Sequence, residues 1–184
     1  NISFAKSVFR GNNTSLNNIK VKGKAQFWEV VSEKNFTMVS AHIWDNANFM
    51  DAQFQSECSL QNLICNDLQF SNVKCGGPFD FSLSTINGNL IMNYCEYDGD
   101  VQLSNSRFSA TSDILDSKFM KQTNFEKSLF LGKTRLSGSE FKGEVNTNET
   151  LFLMPPALDN VKASNSAKIK VNTSYEIETN KEKQ

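Results

Sequence analysis

His42 is the only histidine in this chain of 184 residues, so catalysis by an imidazole would depend on it. A Ser–His–Asp or Cys–His arrangement needs a nucleophile and an orienting group beside that ring. The repeat spacing described below puts His42 in an outward position before Ile43, with no nucleophile next to it. The sequence also contains no P-loop, GxGxxG loop, HExxH pair or calcium-loop pattern. We therefore expect no catalytic residues and no enzymatic activity.

The cysteines Cys58, Cys65, Cys75 and Cys95 are separated by 7, 10 and 20 residues, without a CxxC pair. This spacing does not favour a structural zinc site. All four fall in positions that the repeat assigns to the interior, where a free cysteine packs as a small hydrophobic residue. We expect reduced core thiols, with no metal and no cofactor. Reduced thiols and the absence of a visible signal peptide favour a cytoplasmic location.

Three carboxylates, Glu29, Asp51 and Asp116, share one outward column of the repeat, with Asn72 and Tyr94 between them. Paired carboxylates can perform acid–base chemistry when they lie close together in a cleft. Scattered, solvated carboxylates are the more economical interpretation here. The column remains the best place for an acid–base pair if the protein were an enzyme.

Large apolar side chains in outward positions are the other candidate functional residues. Trp28 and Met50 should stack in one column, with Trp44 on the neighbouring face and His42 close by. Exposed aromatic and methionine side chains are typical anchors of protein interfaces. We take these four residues as a candidate partner-binding site. The alternative is that another part of the same chain covers them.

A repeat of eleven residues must position all of these side chains. Large apolar residues alternate at spacings of five and six, and a small residue lies two positions earlier, as Ser106 precedes Phe108. The pattern extends from Phe4 to Phe141, with one extra residue after Phe9 and one missing residue after Cys65. Only Ser32 breaks its apolar character. A fixed period of this kind indicates a repeat architecture with a continuous core.

Side-chain alternation explains the pattern. In extended backbone, a residue and the residue two positions earlier point to the same side, here as one large and one small inward side chain. Four short segments make a coil of 22 residues, and coils stack at about 4.8 Å. A helix would need apolar residues at i, i+3, i+4 and i+7, which the spacing does not supply. The predicted core ladder includes Phe49, Phe54, Leu60, Phe70, Phe81, Phe108, Phe119, Phe125, Phe130 and Phe141.

The chain resembles the pentapeptide-repeat proteins from about Ile2 to Phe141. The resemblance is carried by units with a central Phe and a small residue two positions before it, such as Ala47 with Phe49 and Ser117 with Phe119. It implies an all-β, right-handed parallel β-helix of quadrilateral section, with about 6–7 coils, and a bacterial source. The chain departs from the family by having 22 rather than 20 residues per coil. The sixth residue of alternate segments is therefore expected to bulge at a corner.

The domain organisation follows from where the repeat weakens. Residues 1–144 are predicted to form the repeat β-helix. Residues 145–178 are predicted to be degenerate C-terminal coils or a cap, interrupted by Met154, Pro155 and Pro156, since proline cannot donate to a strand ladder. Residues 179–184 are predicted to be a flexible tail. The open end of the stack leaves an end-to-end dimer possible.

Composition and charge narrow the function classes. Twenty acidic and 19 basic residues give a formal net charge of −1, which does not favour nucleic-acid binding. No apolar segment is long enough to span a bilayer. We therefore expect a non-enzymatic solenoid that binds a protein or acts as a scaffold, either alone or as part of a larger protein. Two alternatives stay open: a DNA-mimicking, topoisomerase-protecting protein of the quinolone-resistance type, and a glycan-acting β-helix enzyme.

Overall fold

The computed structural model describes residues 1–164 as a parallel β-solenoid of about seven turns, with no helix in that range. Its strands form four parallel sheets, and strands that pair lie about 22 residues apart in the sequence. The predictions of an all-β solenoid and of coils of 22 residues are therefore confirmed. Within the described residues, no helix could cross a membrane.

The strands are only two or three residues long, and successive strands belong to successive sheets. In chain order they are β1 (Ile2–Ser3), β2 (Val8–Phe9), β3 (Asn13–Ser15), β4 (Lys20–Val21), β5 (Ala25–Gln26), β6 (Val31–Ser32), β7 (Asn35–Thr37), β8 (His42–Ile43), β9 (Ala47–Asn48), β10 (Gln53–Phe54), β11 (Cys58–Ser59), β12 (Ile64–Cys65), β13 (Leu68–Gln69), β14 (Lys74–Cys75), β15 (Phe79–Asp80), β16 (Thr85–Ile86), β17 (Leu90–Ile91), β18 (Glu96–Tyr97), β19 (Val101–Gln102), β20 (Arg107–Phe108), β21 (Ser112–Asp113), β22 (Lys118–Phe119), β23 (Thr123–Asn124), β24 (Leu129–Phe130), β25 (Thr134–Arg135), β26 (Glu140–Phe141), β27 (Val145–Asn146), β28 (Leu151–Phe152) and β29 (Lys162–Ala163).

We call the four sheets walls A, B, C and D, in the order in which the chain meets them. Wall A begins with β1 and β5, wall B with β2 and β6, wall C with β3 and β7, and wall D with β4 and β8. One coil is one pass through the four walls, so β5 to β8 form the second coil. After the seventh coil, Ala157 makes a single bridge to Arg135 of wall A, and β29 joins wall B.

The core fills the space between the walls with the inward side chains of every wall segment, two of them large in segments such as Phe79 with Phe81. Every large inward position from Val21 to Phe141 is buried, including the polar Ser32, and Phe4, Phe9 and Leu16 at the first coil are half-buried. All ten residues of the predicted core ladder are buried. Alternation of side chains across each strand therefore places the repeat's large residues inside.

Aromatic rings stack vertically because a coil rises by one strand spacing. In wall A, the ring centroids of Phe27 and Phe49 are 4.7 Å apart, and those of Phe49 and Phe70 are 4.8 Å apart. In wall B, Phe119 and Phe141 stack at 4.7 Å. The phenylalanine stacks thus occupy wall A in the early coils and other walls in the later ones.

Two of the four corners are tight turns with one left-handed residue. At the corner between walls A and B, the Val30 N–H donates to the Phe27 carbonyl (3.2 Å), and Glu29 has a φ of 54°. A positive φ at the third residue is the mark of a type II turn. The corner between walls C and D is built in the same way, for example around Asn62 with a φ of 56°. The sixth residue of each longer step lies at the other two corners, as the spacing predicted.

The missing residue of the repeat lies at the corner that leads from wall D to wall A. Three residues link β8 to β9 and β16 to β17, whereas only Asn66 and Asp67 link β12 to β13. The Asn66 N–H donates to the Asp45 carbonyl (3.1 Å), while the equivalent Trp44 N–H donates to Val21 of wall D (2.9 Å). The register is regained at Leu68, so the shortening leaves a local notch in this corner.

The walls continue beyond Phe141. Strands β27, β28 and β29 extend walls C, D and B, respectively. Residues 165–178, the rest of the region predicted to be a cap, and the tail predicted for residues 179–184 lie outside the described residues.

Candidate functional site

His42 and Trp44 form an aromatic pair on wall D. Strand β8 points His42 outward, and the backbone then leaves the wall at Trp44. The two rings are parallel, with 3.7 Å between centroids and an interplanar angle of 9°. Trp44 is nevertheless 48% exposed, and Lys20 and Ile64 flank His42 along the wall. The pair is a flat aromatic surface open to solvent, beside a cation.

Trp28 and Met50 form a second pair, at the edge of wall A that meets wall B. They occupy the same column in successive coils, and the N–H of Glu29 donates to the Met50 carbonyl (2.8 Å). The Lys6 ammonium lies over the Trp28 ring, 4.8 Å from its centroid, and Trp28 is half-buried. Met50 is 39% exposed. Part of this pair is therefore covered from within the chain, and Met50 is its open member.

The four predicted site residues therefore lie as two pairs on adjacent walls. The outward face of wall A lies between the two pairs, and a groove of about 360 Å³ runs across that face. The groove is lined mainly by amide side chains, with one ammonium and one carboxylate. Its polar members are Lys24, Gln26, Asn46, Asn48, Asp67, Gln69 and Asn89. The sequence reasoning did not find this groove, although the missing residue after Cys65 was a signal for an irregularity there.

Asp67 holds the notch together. Its carboxylate accepts hydrogen bonds from the Asn89 backbone N–H (2.7 Å) and from the Asn66 amide (3.2 Å). The Asn46 amide, in the orientation that satisfies its surroundings, also donates to it at 3.0 Å. Gly88 allows this approach, because a β-carbon there would collide with the Asp67 Oδ1. The carboxylate is therefore occupied in structural bonds, as are several of the amides around it.

The cysteines are free thiols in the core, as the sequence predicted. Burial raises the pKa of Cys58 and Cys65, and raises the pKa of Cys75 to about 12 and of Cys95 to about 11. Since the thiolate is the reactive form, these thiols are poor nucleophiles in the folded protein. Within residues 1–164, no group of three or more His, Cys, Asp or Glu side chains is placed to hold a metal ion.

The outward carboxylate column coincides with the left-handed corner between walls A and B. Glu29, Asp51 and Asp116 all have positive φ there, together with Asn72 and Tyr94. The Asn72 amide donates to Asp51 (2.7 Å), and Lys6 lies 3.9 Å from Glu29. The column is thus a consequence of turn geometry: Glu29 and Asp51 follow one another in successive coils, and each also has a cationic or neutral partner.

No protein-family model matches the chain, and no curated protein matches it. The four-walled parallel solenoid is compatible with the pentapeptide-repeat fold that the sequence resembles.

Proposed function

We propose that the protein is a non-enzymatic binding scaffold whose second and third coils contact a protein partner. The observation that carries the proposal is that Trp44 and Met50 are exposed, whereas most large apolar side chains of this molecule lie in its core. Aromatic and methionine side chains at a surface are the usual anchors of protein interfaces. The amide groove between them supplies donors and acceptors for the polar part of such a contact.

The solenoid suits this role because its surface is held in place. Each coil is hydrogen-bonded to the next through all four walls over most of the described length. Outward side chains are therefore held in fixed columns, in which successive side chains are about 4.8 Å apart. Binding of a partner to such a surface costs little free energy for ordering the surface, because its side chains are already held in place.

The chemistry of the described residues also supports a non-enzymatic role. The thiols are buried and protonated, and the candidate acid–base column lies on an open corner. His42 stacks against Trp44. An enzyme would need a nucleophile or an acid–base pair gathered in a cleft.

Affinity capture from the source organism tests this proposal. The bait is the purified chain, compared with the double variant Trp44→Ala, Met50→Ala. The matched control is Val8→Ala, Leu83→Ala, since both side chains are exposed but Val8 lies in wall B and Leu83 at the corner between walls C and D. A protein retained by the wild type and the control, and lost with the Trp44/Met50 variant, is the expected result. Equal capture by all three baits would contradict the site.

Wall C favours a second candidate, the DNA mimic. Its segments 57–61, 78–82, 100–104, 122–126 and 144–148 carry five carboxylates and no lysine or arginine: Glu57, Asp80, Asp100, Glu126 and Glu144. A wall with only negative charge is the feature that such mimicry requires, although the whole chain is nearly neutral. Inhibition of gyrase supercoiling at micromolar protein would support this candidate. Unchanged supercoiling would remove it.

A further inference from the structure

Wall D has an unusual composition along its whole length. It consists of segments 19–22, 41–44, 63–66, 84–87, 106–109, 128–131 and 150–153, and none of them contains aspartate or glutamate. The cations on this wall are Lys20, Lys22 and Arg107. Asp45 and Asp67 lie at the neighbouring corner with wall A, where Asp67 accepts hydrogen bonds from amides.

The last two coils of wall D present leucines outward. Leu129 pairs with Leu151 in the register of β24 and β28, and Leu131 and Leu153 follow one position after the buried phenylalanine of each strand. These four leucines are half-buried against one another, and the adjacent Met154 is 43% exposed. The other end of the wall holds the His42–Trp44 stack next to Lys20. Wall D is thus cationic and aromatic at one end and aliphatic at the other.

We propose that wall D binds flat against an anionic lipid surface, which goes beyond the protein contact assigned to the second and third coils. Seven strands spaced by about 4.8 Å give a flat contact roughly 30 Å long. Lysine and arginine are attracted to anionic headgroups, and leucine and tryptophan insert at the boundary between headgroups and acyl chains.

The distribution of charge favours a lipid surface over the other occupants. A protein partner with one acidic patch would require carboxylates to be absent only near that patch. A plane of uniform negative charge disfavours carboxylates along the entire wall, as observed. Nucleic acid is also uniformly anionic, but the leucine end offers it no phosphate contact. Wall C, with five carboxylates and no cations, would be repelled by such a surface, which orients the rod.

Vesicle co-sedimentation of the whole chain tests the proposal. The probes are vesicles of phosphatidylcholine alone and of phosphatidylcholine with phosphatidylserine. The wild type should sediment with the vesicles that contain phosphatidylserine, and less so at high salt. Lys20→Glu with Lys22→Glu should lower the partition coefficient at least about thirty-fold, since each lysine near the surface contributes about a factor of five.

Two further variants separate wall D from general effects. Lys121→Glu with Lys142→Glu makes the same charge change at the corner between walls B and C, and should bind almost as the wild type does. Leu131→Ser with Leu153→Ser should weaken binding without changing the net charge. Circular dichroism and thermal unfolding of each variant establish that it is folded.

Three outcomes would overturn the proposal: no sedimentation of the folded wild type, equal loss in the Lys121/Lys142 control, or equal binding to phosphatidylcholine alone. Dimerisation through wall D without vesicle binding would also overturn it, and analytical ultracentrifugation would detect that. The capture experiment tests the protein contact separately, because it changes Trp44 and Met50, which none of the vesicle variants alters.

Discussion

The corner between walls A and B is built differently in the first three coils and in the fifth and sixth coils. In the first three coils the turn closes on itself, as where the Ala52 N–H donates to the Phe49 carbonyl (3.0 Å). In the fifth and sixth coils the same N–H is bonded by a serine of the next coil. The Cys95 backbone N–H donates to the Ser117 hydroxyl (3.0 Å), and the Ser117 backbone N–H donates to the Ser139 hydroxyl (3.1 Å).

The serine hydroxyl joins two coils because it donates as well as accepts. Ser117 donates to the Met92 carbonyl (2.7 Å), three residues before the N–H that it accepts from. The corner between walls C and D repeats the arrangement, with Ser84 accepting from Leu63 and Ser106 accepting from Ser84. The inward position that holds a small residue thus either packs in the core or, when it holds serine, forms hydrogen bonds between two coils.

This difference also follows the candidate functions. The two aromatic pairs lie in the early coils, where the turns between walls A and B are self-contained, whereas the Leu63 N–H just before the notch already donates to Ser84 of the next coil. The later coils hold the hydroxyl ladders, with buried serines and phenylalanine stacks in walls B and D. Binding surface and serine bridges are thus separated along the corner between walls A and B, but they meet in the third coil at the corner between walls C and D.

Removing a stacked ring should have the largest effect, and it should be equal in both regions. Phe27→Ala removes a ring stacked between Phe4 and Phe49, and Phe119→Ala removes one stacked between Tyr97 and Phe141. Each should lower the free energy of unfolding by about 3–5 kcal/mol, the usual cost of Phe→Ala in a core. Guanidinium unfolding measures both. A loss confined to one variant would mean that ring stacking matters in only one half.

Ser117→Ala should cost about 2–3 kcal/mol in the free energy of unfolding, because it leaves the Cys95 N–H and the Met92 carbonyl without their buried partner. The matched variant is Ala52→Ser, in the equivalent position of the third coil. Its hydroxyl can meet the Val30 N–H and the Phe27 carbonyl, so its cost should be below about 1 kcal/mol. If Ala52→Ser were the more damaging of the two, the fastening role of serine would be wrong.

Gly88→Ala should cost about 1–2 kcal/mol, a typical value for a steric change at a packed site. The added methyl would displace the Asp67 carboxylate and its bond to the Asn89 N–H. Gly11→Ala is the control, because a β-carbon there meets only one atom, at 4.0 Å. Thermal unfolding compares the two. Equal melting temperatures would show that Asp67 does not hold the notch.

The smallest effect concerns the ion pairs of wall B. Lys118 donates to Glu96 (3.1 Å) and, with Lys74, lowers the pKa of that carboxyl below its usual value. A lowered pKa in the folded state stabilises the protein above the unfolded pKa of about 4.3, and this contribution is lost as the pH falls further. Because the side chains are partly exposed, Glu96→Gln should cost less than about 1 kcal/mol at neutral pH and nothing near pH 3. An unchanged difference across that range would contradict the pairing.

Side-chain alternation made the fold readable from the sequence. Phe27 and Phe49 repeat at the spacing of a coil, and a large residue every five or six positions has no other economical arrangement. The same alternation identified the buried cysteines and the outward position of His42. These inferences depend only on the direction in which each side chain points in extended backbone, which is a local property of the chain.

The sites were less predictable because they depend on side-chain rotamers and on one irregular corner. The spacing placed Trp28 above Met50, but it could not show that Lys6 covers the indole. It recorded the missing residue near Asp67 without showing that amides line a groove there. The serine ladders were visible as small residues, but their bonding to the next coil requires the vertical register of hydroxyl and N–H.

Hydrogen exchange of single backbone amides tests the central difference most directly. Ala52 and Ser106 both lie inside the stack, but the Ala52 N–H closes its own turn and the Ser106 N–H donates to Ser128 of the next coil (3.3 Å). Exchange of the Ser106 amide should require separation of coils and should be slower than exchange of Ala52. Ser128→Ala should remove that protection at Ser106 and leave Ala52 unchanged. Faster exchange at Ser106 than at Ala52 in the wild type would contradict the account.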